Sequence, residues 1–155
     1  ALRAHLYYDS DVIPRTGRNR QVARALAEEA AAMGDPWAYG LLANIYYDSG
    51  KAEEKAKARD LALQGMRFGN RLALYCIGRM AWDQYQANPG DLAKAVRAWA
   101  CTELPERQGV RVALPHQGNV LASSRDMLAY LPPENRQWLM VEGRREQDAL
   151  VGGNG

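Results

Sequence analysis

The tetrapeptide Tyr7-Tyr8-Asp9-Ser10 returns unchanged as Tyr46-Tyr47-Asp48-Ser49. Shifting the chain against itself by 35 residues aligns Gly34-Asp35 with Gly69-Asn70, Ala38 with Ala73, Leu42 with Ile77 and Asp48 with Asp83. The same shift lays Ala23, Leu26 and Ala27 on Ala58, Leu61 and Ala62. A period in the mid-thirties marks helical hairpins, each unable to bury its apolar face alone, stacked so that neighbours bury it together. Arrays of this kind work mostly as binding surfaces.

At 155 residues the chain fits one compact domain, expected over 1–150. Local signals divide it into hairpins at about 1–34, 35–69 and 70–104, then a connector and cap over 105–150. The first hairpin opens on Leu2, Leu6 and Tyr7, loops through Asp9 to Asn19, and returns as a helix from Gln21 to Met33. Gly34 suits a left-handed helix stop, and Asp35-Pro36 an N-cap followed by proline in the first turn. The second hairpin runs from Pro36 to about Phe68 and breaks at Asp48-Ser49-Gly50. The third runs from Arg71 to about Glu103 and turns at Asn88-Pro89-Gly90-Asp91, with Asp91 as N-cap. Pro105, Gly109, Pro115 and Gly118 make 105–118 an irregular connector. Helical spacing resumes over Val120 to Leu131, and Pro132-Pro133-Glu134 starts a last helix. The segment 151–155 reads as a disordered tail.

These hairpins resemble the Sel1-like repeat family, relatives of the tetratricopeptide repeats. The outgoing-helix pattern of that family matches Ala38, Leu42, Ala43 and Tyr46, then Ala73, Ile77, Gly78 and Ala81. The return-helix pattern matches Ala23, Leu26, Ala27, Ala30, Ala31 and Gly34, then Ala58, Leu61, Ala62, Gly65 and Gly69. Arg125-Asp126-Met127-Leu128, Leu131 and Pro133-Glu134 are similar to the closing helix pair of bacterial members. The Gly-x-Gly-Val loop usual after the tyrosine is absent, and Ala81 stands where a tyrosine is usual. The resemblance implies an all-α fold, an α/α solenoid of about three Sel1-like hairpins with a C-terminal helical cap. It further implies a bacterial protein that acts as a scaffold or adaptor without a catalytic centre.

The residues themselves offer little chemistry. His5 and His116 have no Cys or acid at ligand spacing, so no metal is expected and both are read as surface residues. Ser123-Ser124 lacks a nearby base and reads as a helix N-cap. Glu28-Glu29 and Glu53-Glu54 are adjacent in sequence, so each pair diverges around its helix and reads as solvated. Neither an enzyme nor a cofactor is expected. The net charge of +2 is spread evenly, which disfavours nucleic acid. The cluster Arg15, Arg18, Arg20 and Arg24 is read as solvated rather than as an acidic-partner site. Trp37 to Tyr47 is too short to cross a bilayer, so membrane insertion is not expected. The start of the chain assigns no compartment, cytoplasmic or exported.

Cys76 and Cys101 lie at nearly equal distances from the turn at Asn88-Pro89-Gly90, which puts them at one height on antiparallel helices. Two readings stand: a disulfide, as in cysteine-rich secreted members of the family, or two buried thiols filling small gaps.

The function expected is protein–protein interaction, with a partner protein or peptide on the concave face of the outgoing helices. An inhibitor or immunity-type protein that occludes an enzyme is the alternative, followed by an envelope enzyme or small-ligand binder. With Ala38, Leu42, Ile45 and Tyr46 facing inward, the opposite side of that helix holds Gly40, Asn44 and Tyr47. The 35-residue shift carries these to Tyr75, Arg79 and Trp82, and Tyr8 is the earlier equivalent of Tyr47. Tyr8, Asn44, Tyr47, Tyr75, Arg79 and Trp82 are therefore the candidate partner-binding residues, rich in types that dominate interfaces. Ala38, Leu42, Ile45, Tyr46, Leu61, Ile77 and Val96 are the candidate core.

Overall fold

The computed structural model describes residues 17–152. Tyr8, His5, the helix end expected around Leu2 to Tyr7 and the end of the expected tail lie outside the described residues. Seven helices and one small hairpin follow in order among those described. They are α1 (Gly17–Ala32), α2 (Pro36–Asp48), α3 (Ala52–Arg67), α4 (Arg71–Ala87), α5 (Leu92–Arg107), β1 (Leu114–His116), β2 (Asn119–Leu121), α6 (Ser124–Leu128) and α7 (Pro133–Gly152). Helix α1 takes in the end of the expected loop, and α7 takes in Val151 and Gly152 of the expected tail. The backbone packs as two compact units that part between Cys76 and Ile77.

Helix ends carry the period into three dimensions. At Gly34 (φ 81°) the Asp35 N–H donates to Ala30 O (3.1 Å) and the Gly34 N–H to Ala31 O (3.0 Å). At Gly69 (φ 68°) the Asn70 N–H donates to Gly65 O (3.1 Å) and the Gly69 N–H to Met66 O (3.0 Å). Gly109 (φ 94°) repeats the pattern, with Val110 and Gly109 donating to Pro105 O and Glu106 O, both at 3.0 Å. This is the Schellman stop, which needs a residue that tolerates the left-handed region. Asp35 Oδ1 accepts from Trp37 N (3.0 Å) and Asn70 Oδ1 from Ala73 N (3.0 Å), so the first two stops are each followed by a capped start.

In the first unit α2 packs on both α1 and α3. Ala27, Leu41, Leu42 and Ile45 are buried together, with Leu26, Ala31, Tyr46, Leu61 and Leu72 partly buried against them. A second face of α2 closes on the start of α4. A methyl built on Gly40 would overlap Asn70 Oδ1 and come within 2.6 Å of Ala73 N; one on Gly65 would lie 2.7 Å from Ala73 Cβ. Asn70 Nδ2 reaches back to Pro36 O (3.3 Å) and Trp37 O (3.4 Å), tying the start of one hairpin to the start of the one before.

In the second unit α5 continues through Pro105 to Arg107, beyond the expected break at Leu104. Asp91 precedes it as expected, without a side-chain cap bond. The expected connector holds β structure, and Val120 and Leu121 lie in β2 rather than in a helix. Gln117 (φ 49°) and Gly118 (φ 82°) form a two-residue loop with both φ positive, the geometry whose twist suits antiparallel strands. Ser123 Oγ accepts from Asp126 N (3.1 Å), the expected cap, and starts α6. Helix α7 packs on α5 closely enough that a methyl on Gly143 would overlap the Trp99 ring.

Ala38, Leu42, Ile45, Ile77 and Val96 are buried, as the register requires. Leu42→Ala is expected to lower unfolding stability by about 2–5 kcal/mol in urea titrations. Gly40→Ala should gain about 1 kcal/mol of helix propensity. It is nevertheless expected to lose about 1–3 kcal/mol net, because its methyl must displace Asn70 and the Ala73 backbone. An unchanged midpoint would show that α2 and α4 are not in that contact.

Candidate functional site

Within the first unit the expected binding face of α2 is occupied by the protein itself. Asn44 is 4% exposed, and its Nδ2 donates to Gly40 O (2.8 Å) and to Leu72 O (2.9 Å). Tyr75 is likewise buried. Asn44 returns to the interior because α2 is apolar nearly all round and such a helix buries two faces. Tyr47 remains half-buried, with Lys55 Nζ 5.4 Å above its ring. Gly40 was the legible warning: a small residue there allows close approach, not partner binding.

Arg24 and Glu54 are not the solvated charges that the sequence suggests. Arg24 pairs with Glu28 (2.8 Å) and Glu54 (2.7 Å) and lies 4.9 Å over the Tyr46 ring, whose hydroxyl donates to Glu28 Oε1 (3.1 Å). The hydrogen bond from Arg24, assisted by Ser49, holds the Glu54 carboxyl below its ordinary range. Burial, then the bond to Glu28, pushes the Tyr46 hydroxyl above its own.

In the second unit Arg79 is half-buried and Trp82 has no exposed surface. Trp82 therefore belongs to the interior, with ring centroids 5.5 Å from Tyr85 and 5.5 Å from His116. His116, expected on the surface, is 7% exposed and sits 3.9 Å from the half-exposed Tyr130 ring. The hairpin, invisible to helical periodicity, is what brings His116 there. Both His116 ring nitrogens and Trp82 Nε1 lack hydrogen-bond partners among the described residues. Cys76 and Cys101 are both buried, and burial pushes the Cys101 thiol up to about 12, a poor nucleophile.

Helices α5 and α7 share a polar knot. Gln147 Nε2 donates to Ala100 O (3.1 Å) and to Glu103 Oε2 (2.7 Å). Arg107 and Arg144 pair with Glu103 at 2.7 and 3.0 Å, and Arg144 lies 5.1 Å over Trp99. Burial works to raise the Glu103 carboxyl, but Gln147, Arg107 and Arg144 together hold it below its ordinary range.

What the first unit leaves uncovered is its turn edge. Met33 and Phe68 are 81% and 62% exposed. They coincide under the 35-residue shift, each immediately before a left-handed glycine. Phe68 contacts Tyr39 (ring centroids 6.2 Å apart), and Arg71 lies 5.0 Å over Trp37. Sequence reasoning followed the helix faces and passed over these two residues, although their shared register was readable. Among the described residues no group of three or more His, Cys, Asp and Glu could hold a metal, and no helix is long and apolar enough to cross a membrane.

No protein-family model, curated protein or solved structure matches the chain.

Replacing His116 by Phe removes two unpartnered buried nitrogens while keeping a flat ring, so the melting temperature is expected to hold or rise. A marked fall would show that the imidazole is hydrogen-bonded in solution. Glu103 has its folded value below the unfolded one, so its stabilisation is full above the ordinary carboxylate range and is lost as pH falls through the folded value. The stability gap between wild type and Glu103→Gln should therefore be widest near neutrality and shrink on acidification below about pH 4. Urea titrations across pH test this; a gap that widens in acid would reverse the sign.

Proposed function

We propose that this chain is a protein-interaction scaffold or adaptor built as an α/α solenoid of Sel1-like hairpins. The observation that carries this reading is the recurrence of one helix-end device at Gly34, Gly69 and Gly109, hydrogen bond for hydrogen bond. Side-chain amides of Asn44 and Asn70 that link one hairpin to the next support it further. Repeats joined in this way are stabilised chiefly by nearest neighbours, and their surface is open to a partner along its length. The working surface is what the stack leaves uncovered, not the α2 and α4 positions that the hairpins bury against themselves.

Two measurements test the reading. Excision of residues 35–69, one full period, is expected to leave a helical protein that unfolds cooperatively with a smaller urea m-value. A chain that no longer folds would overturn the repeat assignment. Used as bait in an extract of its source, the protein should capture a partner that, once purified, titrates it to a fixed stoichiometry by calorimetry. Capture that never saturates would refute the scaffold role.

A further inference from the structure

Helix α7 has two faces, and packing of the second unit uses one of them. Leu139, Gly143 and Gln147 line the inner face, where Gly143 admits the Trp99 ring and Gln147 joins Glu103. At about 3.6 residues per turn, Glu134, Trp138, Val141 and Arg145 fall in one narrow stripe on the opposite face. Trp138 keeps 45% and Val141 47% of its surface in water. Exposed apolar residues are ordinary when scattered singly, but this tryptophan and valine adjoin at i, i+3. A charge stands at each end of the pair. Glu134 is exposed and makes no ion pair among the described residues. Arg145 holds Glu142 of its own helix at 2.9 Å through Nη1, which leaves Nε and Nη2 as donors.

Helix energetics account for the two charges only. An acid in the first turn suits the helix dipole, and Arg145 with Glu142 is an ordinary i, i+3 pair. Neither effect calls for Trp138 or Val141. The order of the stripe does: acid, tryptophan, valine and base, spaced four, three and four apart, form the seam of a helix pair. Reversed about a point between Leu139 and Met140, a second α7 sets Trp138 against Val141 and Glu134 against Arg145. Two-fold symmetry makes each of these contacts twice. A parallel pair in register would oppose Glu134 to Glu134 and Arg145 to Arg145. Sliding the reversed copy by one heptad sets Trp138 against Asp148 in one direction and against Glu134 in the other. Charge thus selects both the orientation and the register.

We propose that the outer face of α7 pairs antiparallel with the same face of a second copy of this chain, Trp138 against Val141 and Glu134 against Arg145. The two tryptophans supply the apolar area at the centre, and the ion pairs at the rim fix direction. Of the other charges on that side, Arg144 is held by Glu103 and Gln147, and Asp148 lies past the end of the matched segment. A contact of a few helical turns is at the small end of protein interfaces, so the dimer is reversible, with a dissociation constant on the order of 100 µM. The inference goes beyond the scaffold reading and does not depend on it. In a scaffold, such a dimer presents each partner-binding surface twice, which raises avidity without a new contact to the partner.

The test is sedimentation velocity of the full chain from about 5 µM to about 500 µM. Wild type is expected to shift reversibly from monomer to dimer. Trp138→Ala should raise the dimer dissociation constant about tenfold or more. Glu134→Arg and Arg145→Glu should each raise it about threefold or more, because symmetry turns both ion pairs repulsive. Both positions are exposed, so the melting temperature of these two variants should stay close to that of wild type. Both reversals in one chain restore the pairs with signs exchanged, and the dissociation constant should return to near the wild-type value. That recovery requires the two positions to meet across the contact, since they lie about 16 Å apart along their own helix. A chain that stays monomeric throughout would overturn the proposal, as would a dimer indifferent to Trp138→Ala. Single reversals without effect, or a double variant as weak as the singles, would overturn the antiparallel register. Co-sedimentation of a monomer with anionic vesicles, lost in Trp138→Ala, would assign the face to a lipid surface and overturn the proposal. Each of these outcomes leaves the scaffold reading standing.

Discussion

The close approach of α2 to the beginning of α4 is the contact on which the first unit depends. It is possible because Gly40 and Gly65 present no side chain where Asn70 and Ala73 arrive. Asn70 turns that proximity into a specific register. One face of its amide caps the new helix at Ala73, and the other bonds the carbonyls of Pro36 and Trp37. A backbone stop, a cap and an inter-hairpin tie are thus concentrated in two consecutive residues, Gly69 and Asn70. Dense packing of this kind feels a volume change of a single methyl, which is why small residues at these sites are structural requirements.

The same contact explains why the outgoing helix does not offer the surface that its aromatic content suggests. Asn44, whose amide looks solvent-directed on a helical wheel, is consumed by Gly40 O and Leu72 O. In a stack, a helix has neighbours before and after it as well as a partner within its hairpin. The uncovered positions are displaced to the turns, where Met33 and Phe68 stand out at equivalent places. Side chains at a turn cost the fold little, and this leaves them open to a role in recognition.

The second unit departs from the period and uses different means. Trp99 fills the space left by Gly143, while Gln147 and Glu103 satisfy one another and the Ala100 carbonyl inside the α5–α7 contact. Two arginines then neutralise the Glu103 carboxylate, so the contact is specified by polar geometry as well as by apolar area. The β hairpin lays His116 against Trp82 and Tyr130, closing an aromatic cluster.

The 35-residue recurrence, the glycines at helix stops and the Asp or Asn that follows them determined the hairpin sequence from the chain alone. These are local devices: a left-handed residue and a side-chain cap act within a few positions, so their signal survives in one dimension. The buried stripe through Leu42 and Ile45 was legible for the same reason, as helical spacing is a local property. The hairpin at Leu114 to Leu121 was not, since a Gln-Gly turn and three-residue strands fall below what periodicity detects. Nor could the chain alone say which polar or aromatic residues stay outside. Burial of Asn44 against Leu72 and of Trp82 against His116 depends on residues distant in the chain, and so does the lie of His116 against Tyr130. Only tertiary packing decides which of two apolar helix faces meets a neighbour and which meets water.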